Sequence, residues 1–306
     1  MPAPDFLAVG SVIIDDIVYP DGRTSMGVLG GGGTHAACGM AAAGEKPALV
    51  GLVGKDLPAD VRARLNADFD TSGLVWAAHK QARGWQIFEW DGRRNEIFRV
   101  DVIKPFMHQP HADSPALPFT SAAGITLLRQ PDYVAGWRRR FPAATLLWEP
   151  VRAFMLGGDY ARFRQGLRQS DIVSPNLHEA QAMTGLTDEV AIARRLLADG
   201  AAALALRMGE QGSLVARQGE SCAWHIPALP VAEVIDQTGA GNSYCGGFVV
   251  GWQRENDTAA AGCYGAAAAS FTLEHVGCPR LPADRKIQWA QRLGQARAGT
   301  TRVHLG

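Results

Sequence analysis

Unbroken apolar runs dominate the strand-like parts of this chain, and the first are Phe6-Leu7-Ala8-Val9 and Ala48 to Val53. Runs of about four to eight apolar residues suit strands buried on both faces. Further strand-like runs recur at 125–129, 145–148, 171–173 and 203–206, separated by segments of helix length. Strands alternating with helices predict a mainly parallel, doubly wound sheet with helices on both faces. Gly30 to Gly33 reads as a turn opening a helix over Thr34 to Ala43, with Thr34 as its cap. The small-residue face of that helix suits close approach to a sheet, and Asp60 to Asn66 reads as a further helix.

Residues 85–100 follow another period. Trp85 to Trp90 and Asn95 to Val100 flank Asp91-Gly92, a hairpin signal. With residues near Ile14 they predict a small β lid, formed from about 14–28 and 84–103, on a single domain spanning 1–306. Trp85, Ile87, Phe98 and Val100 are expected on one apolar face of this lid, and a homodimer would cover it.

Composition narrows the partners. The 306 residues carry 47% hydrophobic and 20% charged side chains, with 30 basic residues balancing 30 acidic ones. A nucleic-acid binder normally has a basic excess, so nucleic acid is not the expected partner. The triplet Arg138-Arg139-Arg140 follows Trp137 and reads as a solvated helix face. The five cysteines, at 38, 222, 245, 263 and 278, are widely spaced and form no Cys-x-x-Cys pair. That usage, without a basic and apolar leader or a membrane-length run, predicts a cytoplasmic protein with no membrane partner.

Several catalytic signatures are missing. No P-loop pattern occurs, His178-Glu179 lacks the second histidine of a zincin helix, and Gly241 to Cys245 lacks the closing glycine of a nucleophile elbow. Gly31-Gly32-Gly33-Thr34-His35-Ala36 fits the loose dinucleotide pattern, but the run before it, Thr24 to Leu29, is a poor buried strand. More informative is Ile235 to Tyr244, where a strand-like start passes through Gly239-Ala240-Gly241 into a helix-like stretch. A glycine-rich helix start presents unpaired amides and a positive dipole end to an anion. For three small residues taken alone, a plain glycine-rich turn is the better account.

Six motifs in order change that balance. Gly10-Ser11 with Asp15, Gly30 to Ala37, Gly54-Lys55-Asp56, Asn176 with Glu179, Gly209 with Gly212, and Asp236 to Asn242 together resemble the ribokinase-like, or PfkB, carbohydrate kinase family over nearly the whole chain. The resemblance implies a ribokinase-like doubly wound α/β fold with a β lid. It also implies ATP-dependent phosphoryl transfer to a hydroxyl of a small carbohydrate or nucleoside-like substrate. Gly239, Ala240 and Gly241 would form the anion hole. Asn176 and Glu179 would organise Mg²⁺ through water, Arg207, Gly209 and Gly212 would border the nucleotide, and Asp236 and Thr238 would help hold a monovalent cation such as K⁺. Asp15, Gly32, His35 and Asp132 would face the substrate.

The chain departs from the family pattern where the chemistry is most sensitive. Asn242 stands where the family has its general-base aspartate, and an amide accepts a hydrogen bond without taking a proton at neutral pH. Loss of a positioned base costs about 10²–10⁴ in rate, so slow transfer is one reading. A catalytically silent nucleotide- or sugar-binding protein is the other. His35 replaces the usual asparagine of the first signature, and Arg207 stands where threonine is common, so it would meet a phosphate or reach solvent. Asp15, Asp16, Asp236 and His35 are the candidate substitute bases. Asp15 and Asp16 are adjacent on a strand and should point to opposite faces. A dinucleotide-dependent oxidoreductase using Gly31 to Gly33 remains a third, minor reading.

Overall fold

The protein was analysed as a computed structural model, which describes residues 5–90, 94–98 and 109–305. Its first half contains β1 (Phe6–Val9), β2 (Ile13–Val18), β3 (Thr24–Gly30), α1 (Gly32–Ala42), β4 (Ala48–Gly54), α2 (Ala59–Asp68), β5 (Leu74–Ala77), β6 (Arg83–Phe88) and β7 (Arg94–Phe98). There follow β8 (Gly124–Arg129), α3 (Pro131–Arg140), β9 (Thr145–Pro150), α4 (Arg152–Gly157), α5 (Tyr160–Leu167), β10 (Ile172–Val173), α6 (Leu177–Thr184) and α7 (Glu189–Ala198). The last part holds β11 (Ala203–Arg207), β12 (Ser213–Arg217), β13 (Cys222–Ile226), α8 (Ala240–Glu255), α9 (Thr258–Leu273), α10 (Arg285–Gly299) and β14 (Thr301–His304).

Ten of the strands form one sheet in the order β14-β13-β12-β11-β10-β9-β8-β1-β4-β5. Pairing from β5 across to β11 is parallel, and β12, β13 and β14 add an antiparallel edge. Alternation along β1 shows why its sequence is apolar throughout. Phe6 and Ala8 join the core beneath α1, α8 and α9, whereas Leu7 and Val9 join the core beneath α3, α5, α6 and α7. On the first side the helices touch almost backbone to backbone. A Cβ on Gly39 would lie 2.0 Å from the Ser243 carbonyl oxygen, and one on Gly246 would lie 2.0 Å from that of Ala36. The expected small-residue face of α1 therefore packs on α8 as well as on the sheet.

β3, β2, β6 and β7 form a separate four-stranded sheet where the lid was expected. Asp15 and Asp16 do face opposite sides: Gln86 Nε2 donates to Asp15 Oδ1 at 3.0 Å, while Arg83 and the Trp85 indole bind Asp16. Asp56 and Gln81 anchor the approach to β6, since Gln81 N donates to Asp56 Oδ1 and Gly54 N donates to Gln81 Oε1.

Several expectations need correction. Thr34 does not cap α1. The N-cap is Gly31, at φ 100°, and the fully buried Thr34 lies one turn inside the helix. Antiparallel register pairs Trp85 with Ile97 and Gly84 with Phe98. Phe98 is thus on the face opposite Trp85, packed against Ile13, Leu52 and Ala82, while Trp85 and Ile97 are about half exposed. The Asp91-Gly92 turn, Val100 and the end of the expected lid to residue 103 lie outside the described residues. Arg138 and Arg140 do not form a merely solvated face. Arg138 pairs with Asp171, and Arg140 donates to the Leu117 and Phe119 carbonyls. Among the described residues, no helix is long and apolar enough to cross a membrane.

Candidate active site

Parallel strands deliver their chain ends to one edge, and in open α/β sheets ligands bind outside those carboxyl ends, where strand order reverses. Here the reversal falls between β1 and β8. Gly10 and Ser11 follow β1, and Gly32 N donates to Ser11 Oγ at 3.2 Å at the start of α1. Opposite them, α8 begins at Gly239, which has φ 79°. Ser243 N makes the first α-type bond, to Gly239 O at 2.9 Å, so the amides of Gly241 and Asn242 precede it. This end offers aimed donors to a phosphate.

A buried ionic cluster lies directly behind that turn. Arg207, at the end of β11, places Nη1 2.8 Å from Glu149 Oε1, and its Nη2 donates to the Ser174 carbonyl at 2.7 Å. Asn242 Nδ2 donates to Glu149 Oε2 at 2.8 Å. Glu149 is the penultimate residue of β9 and is 6% exposed. The Arg207 guanidinium is so close to the turn that a Cβ on Gly241 would lie 2.2 Å from Nη1. Burial disfavours its charge, but Glu149 leads the groups that hold its pKa above the ordinary value. Arg207 therefore does not reach solvent; it supplies fixed positive charge beneath the candidate phosphate turn. Burial pushes the neighbouring Cys245 thiol up to about 12, which removes it as a nucleophile at neutral pH.

Asn176 and Glu179 are adjacent to this cluster, because Asn176 and Arg207 form an isolated parallel bridge. They make a capping box on α6: Glu179 N donates to Asn176 Oδ1 at 2.8 Å, and Asn176 N donates to Glu179 Oε2 at 3.0 Å. Burial raises the Glu179 carboxyl above its usual range, against the pull of Arg207 and the Asn176 amide. Gly209 (φ 62°) and Gly212 (φ 86°) form the tight turn between β11 and β12, and a Cβ on Gly212 would lie 2.0 Å from the Ile226 carbonyl oxygen.

Of the expected substrate residues, Gly32 is brought to Asn242: a Cβ there would lie 3.1 Å from Asn242 Nδ2. Asp15 is buried in the second sheet beside Gln86. His35 departs from expectation, since its ring is 1% exposed and packs under the α8 turn. A Cβ on Gly239 would fall 2.1 Å from ring carbons of His35. Asp132 is not brought into this group; it is partly exposed on α3 and paired with Arg162 of α5. Asp236 braces its own loop, accepting from Thr238 N at 2.8 Å and Gly277 N at 3.0 Å, while the buried Thr238 Oγ1 has no hydrogen-bond partner. Two open clefts lie elsewhere. One, of about 340 Å³, is lined by Tyr19, Arg23 and Ile235, and one of about 540 Å³ by His111, Tyr133 and Arg139.

Sequence reasoning missed Glu149. Its signal was present, as the one acid in the apolar run Thr145 to Pro150, standing at the carboxyl end of a parallel strand.

The fold is a ribokinase-like α/β fold. Residues 158–284 match the pfkB family carbohydrate kinase pattern. A cytidine kinase of Thermococcus kodakarensis is 28% identical over 260 residues, covering 82% of this chain and 89% of that one. Among solved structures, the nucleoside kinase of Burkholderia thailandensis in complex with inosine superposes with a TM-score of 0.76 at 18% identity, covering 96% of this chain and 99% of the other. A putative ribokinase II from E. coli, in complex with ATP and Mg²⁺, superposes with a TM-score of 0.74 at 18% identity, covering 94% and 99%. The chain is thus similar to PfkB carbohydrate kinases over residues 158–284 and shares the ribokinase-like fold of the solved structures.

Proposed function

We propose that this protein transfers the γ-phosphoryl group of ATP to a hydroxyl of a nucleoside or small sugar. One observation carries the reading: the amide-lined start of α8, backed by Arg207, meets Asn242 and Gly32 at the strand-order reversal. The similarity to a named cytidine kinase over most of both chains supports a nucleoside as acceptor.

The chemistry follows from the donors. Charge on the transferring phosphoryl group is met by the Gly241 and Asn242 amides, the helix dipole and the Arg207 guanidinium. Phosphoryl transfer through a loose transition state depends chiefly on such positioning and charge neutralisation. The donor set near the phosphates, one carboxylate (Glu179) and one amide (Asn176), fits Mg²⁺ held mainly by phosphate oxygens and water. When bound, Mg²⁺ neutralises phosphate charge. Asn242 Oδ1 faces away from Glu149 and can accept from the attacking hydroxyl, which orients it. The unpartnered Thr238 Oγ1 beside Asp236 supports a monovalent cation such as K⁺ in that loop. Closure of the second sheet over the acceptor, and a homodimer through its Trp85 and Ile97 face, belong to the same reading.

Asn242 itself favours a second reading, a nucleotide-binding protein without turnover, since its amide takes no proton. ADP release from Mg·ATP in the presence of cytidine, inosine, adenosine or ribose separates the two. Turnover above the acceptor-free background, with a phosphorylated acceptor recovered, is expected. ATP binding without any phosphorylated product would establish the silent reading.

A further inference from the structure

We propose that Glu149 supplies the proton-accepting carboxylate of this site, the acid and the amide having exchanged places between the end of β9 and the start of α8. The proposal rests on the kinase reading above.

A carboxylate can only accept hydrogen bonds, so the 2.8 Å contact with Glu149 fixes Asn242 with Nδ2 inward and Oδ1 outward. The carboxylate therefore lies one hydrogen bond behind the amide, and in the transfer step the hydroxyl turns its single proton from Asn242 Oδ1 to a water on Glu149 Oε2. Glu149 Oε2 lies 2.8 Å from the side-chain position an aspartate at 242 would fill. Arg207 engages the other oxygen, Oε1, at 2.8 Å. Each carboxylate oxygen can accept more than one hydrogen bond, so Oε2 retains capacity for a proton delivered through one water. The other groups facing Glu149 are the neutral Cys245 thiol of α8 and the Glu179 carboxyl of α6. Cys245 is buried and protonated, so its thiol donates to Glu149 and takes no proton, and Glu179 has one oxygen engaged in its capping box.

The step balances simply. The acceptor oxygen forms its bond to the γ-phosphorus as the bond from phosphorus to the β–γ bridging oxygen breaks. ADP leaves with that electron pair, and the hydroxyl proton passes through water to Glu149 Oε2. Late proton release in a loose transition state tolerates this displaced base.

Four proteins decide the matter: the parent, Glu149→Gln, Asn242→Asp and the double variant. Each is assayed for Mg·ATP turnover against pH with cytidine, inosine, adenosine and ribose, and for ATP binding and cooperative melting. Glu149→Gln should lower kcat about 10²–10⁴-fold and leave KM for ATP unchanged. Asn242→Asp alone should bring no gain, because two carboxylates within hydrogen-bond distance share one proton. The double variant, with the acid moved to 242, should recover turnover to the parental level. Should Glu149→Gln fold poorly, Glu149→Asp keeps the charge beside Arg207 and should still lose about 10²-fold through displacement of the carboxylate. Parental kcat in Glu149→Gln, or a gain in Asn242→Asp with Glu149 intact, overturns the proposal alone. Four proteins that bind ATP, melt cooperatively and phosphorylate nothing overturn the kinase reading and the proposal with it.

Discussion

Replacing Gly239 by alanine tests the packing beneath the phosphate turn. Two costs arise at this position, and they have different origins. At φ 79° an L side chain meets its own backbone, which costs about 1–2 kcal/mol whatever the surroundings. The added methyl would also lie 2.1 Å from His35 ring carbons, and the ring is 1% exposed. It cannot swing into solvent, so forced repacking adds about 1–3 kcal/mol. Gly239→Ala should therefore destabilise the protein by about 2–5 kcal/mol, the sum of those two ranges. At about 2.1 cal/mol/K of unfolding entropy per residue, a chain of this length loses roughly 1.6 °C in Tm per kcal/mol, so a fall of about 3–8 °C is expected. His35→Ala separates the costs. In that background the clash is gone and only the backbone cost remains, so a double-mutant cycle by urea denaturation should give a coupling of about 1–3 kcal/mol. Additive effects within about 0.5 kcal/mol would refute the contact between His35 and the turn.

Other perturbations probe the ionic cluster, the cap and the second sheet. Arg207→Met leaves Glu149 buried without its cation and should cost about 3–5 kcal/mol, read by chemical denaturation; wild-type stability would show the pair to be dispensable. Glu179→Gln keeps a capping-box side chain but removes a carboxyl whose pKa burial has raised. A raised folded pKa makes the native state lose stability as pH rises from the unfolded carboxyl value to the folded one. The glutamine variant should lack that loss and melt no lower than the parent at pH 7, while losing Mg²⁺-dependent turnover; a lower Tm at pH 7 would contradict this. Asp16 behaves oppositely. Burial raises its pKa, but Arg83, the Gly27 amide and the Trp85 indole together bring it below the ordinary value. Its contribution is present above the unfolded carboxyl pKa and disappears as pH falls through the lowered folded one. Asp16→Asn should therefore flatten the acid limb of stability reported by Trp85 fluorescence, and an unchanged limb would count against the contact. Charging the exposed face with Trp85→Glu and Ile97→Glu should yield a monomer in sedimentation, whereas an unchanged dimer would place the interface elsewhere.

Much of the architecture was legible along the chain because its cause is local. Apolar runs at 6–9, 48–53 and 203–206 announce strands buried on both faces, and those faces do enter two separate cores. Asn176 and Glu179 lie three residues apart, so their reciprocal cap is written in a single turn. Gly239 to Gly241 likewise combine a positive φ and a helix start within a few residues. What failed were inferences that needed a partner from elsewhere in the chain. Strand register, set by pairing, put Ile97 rather than Phe98 beside Trp85. His35 reads as a substrate contact until α8 is packed against α1, when the space above its ring belongs to Gly239. Glu149, Arg207 and Asn242 are far apart in sequence and meet only because two parallel strands and a helix end at the same edge. Local pattern determines which segments become strands, helices and turns, since period and backbone preference act over a few residues. The charge and hydrogen bonds around Asn242 were decided by tertiary packing alone, because only burial makes the acid from β9 and the guanidinium from β11 depend on each other.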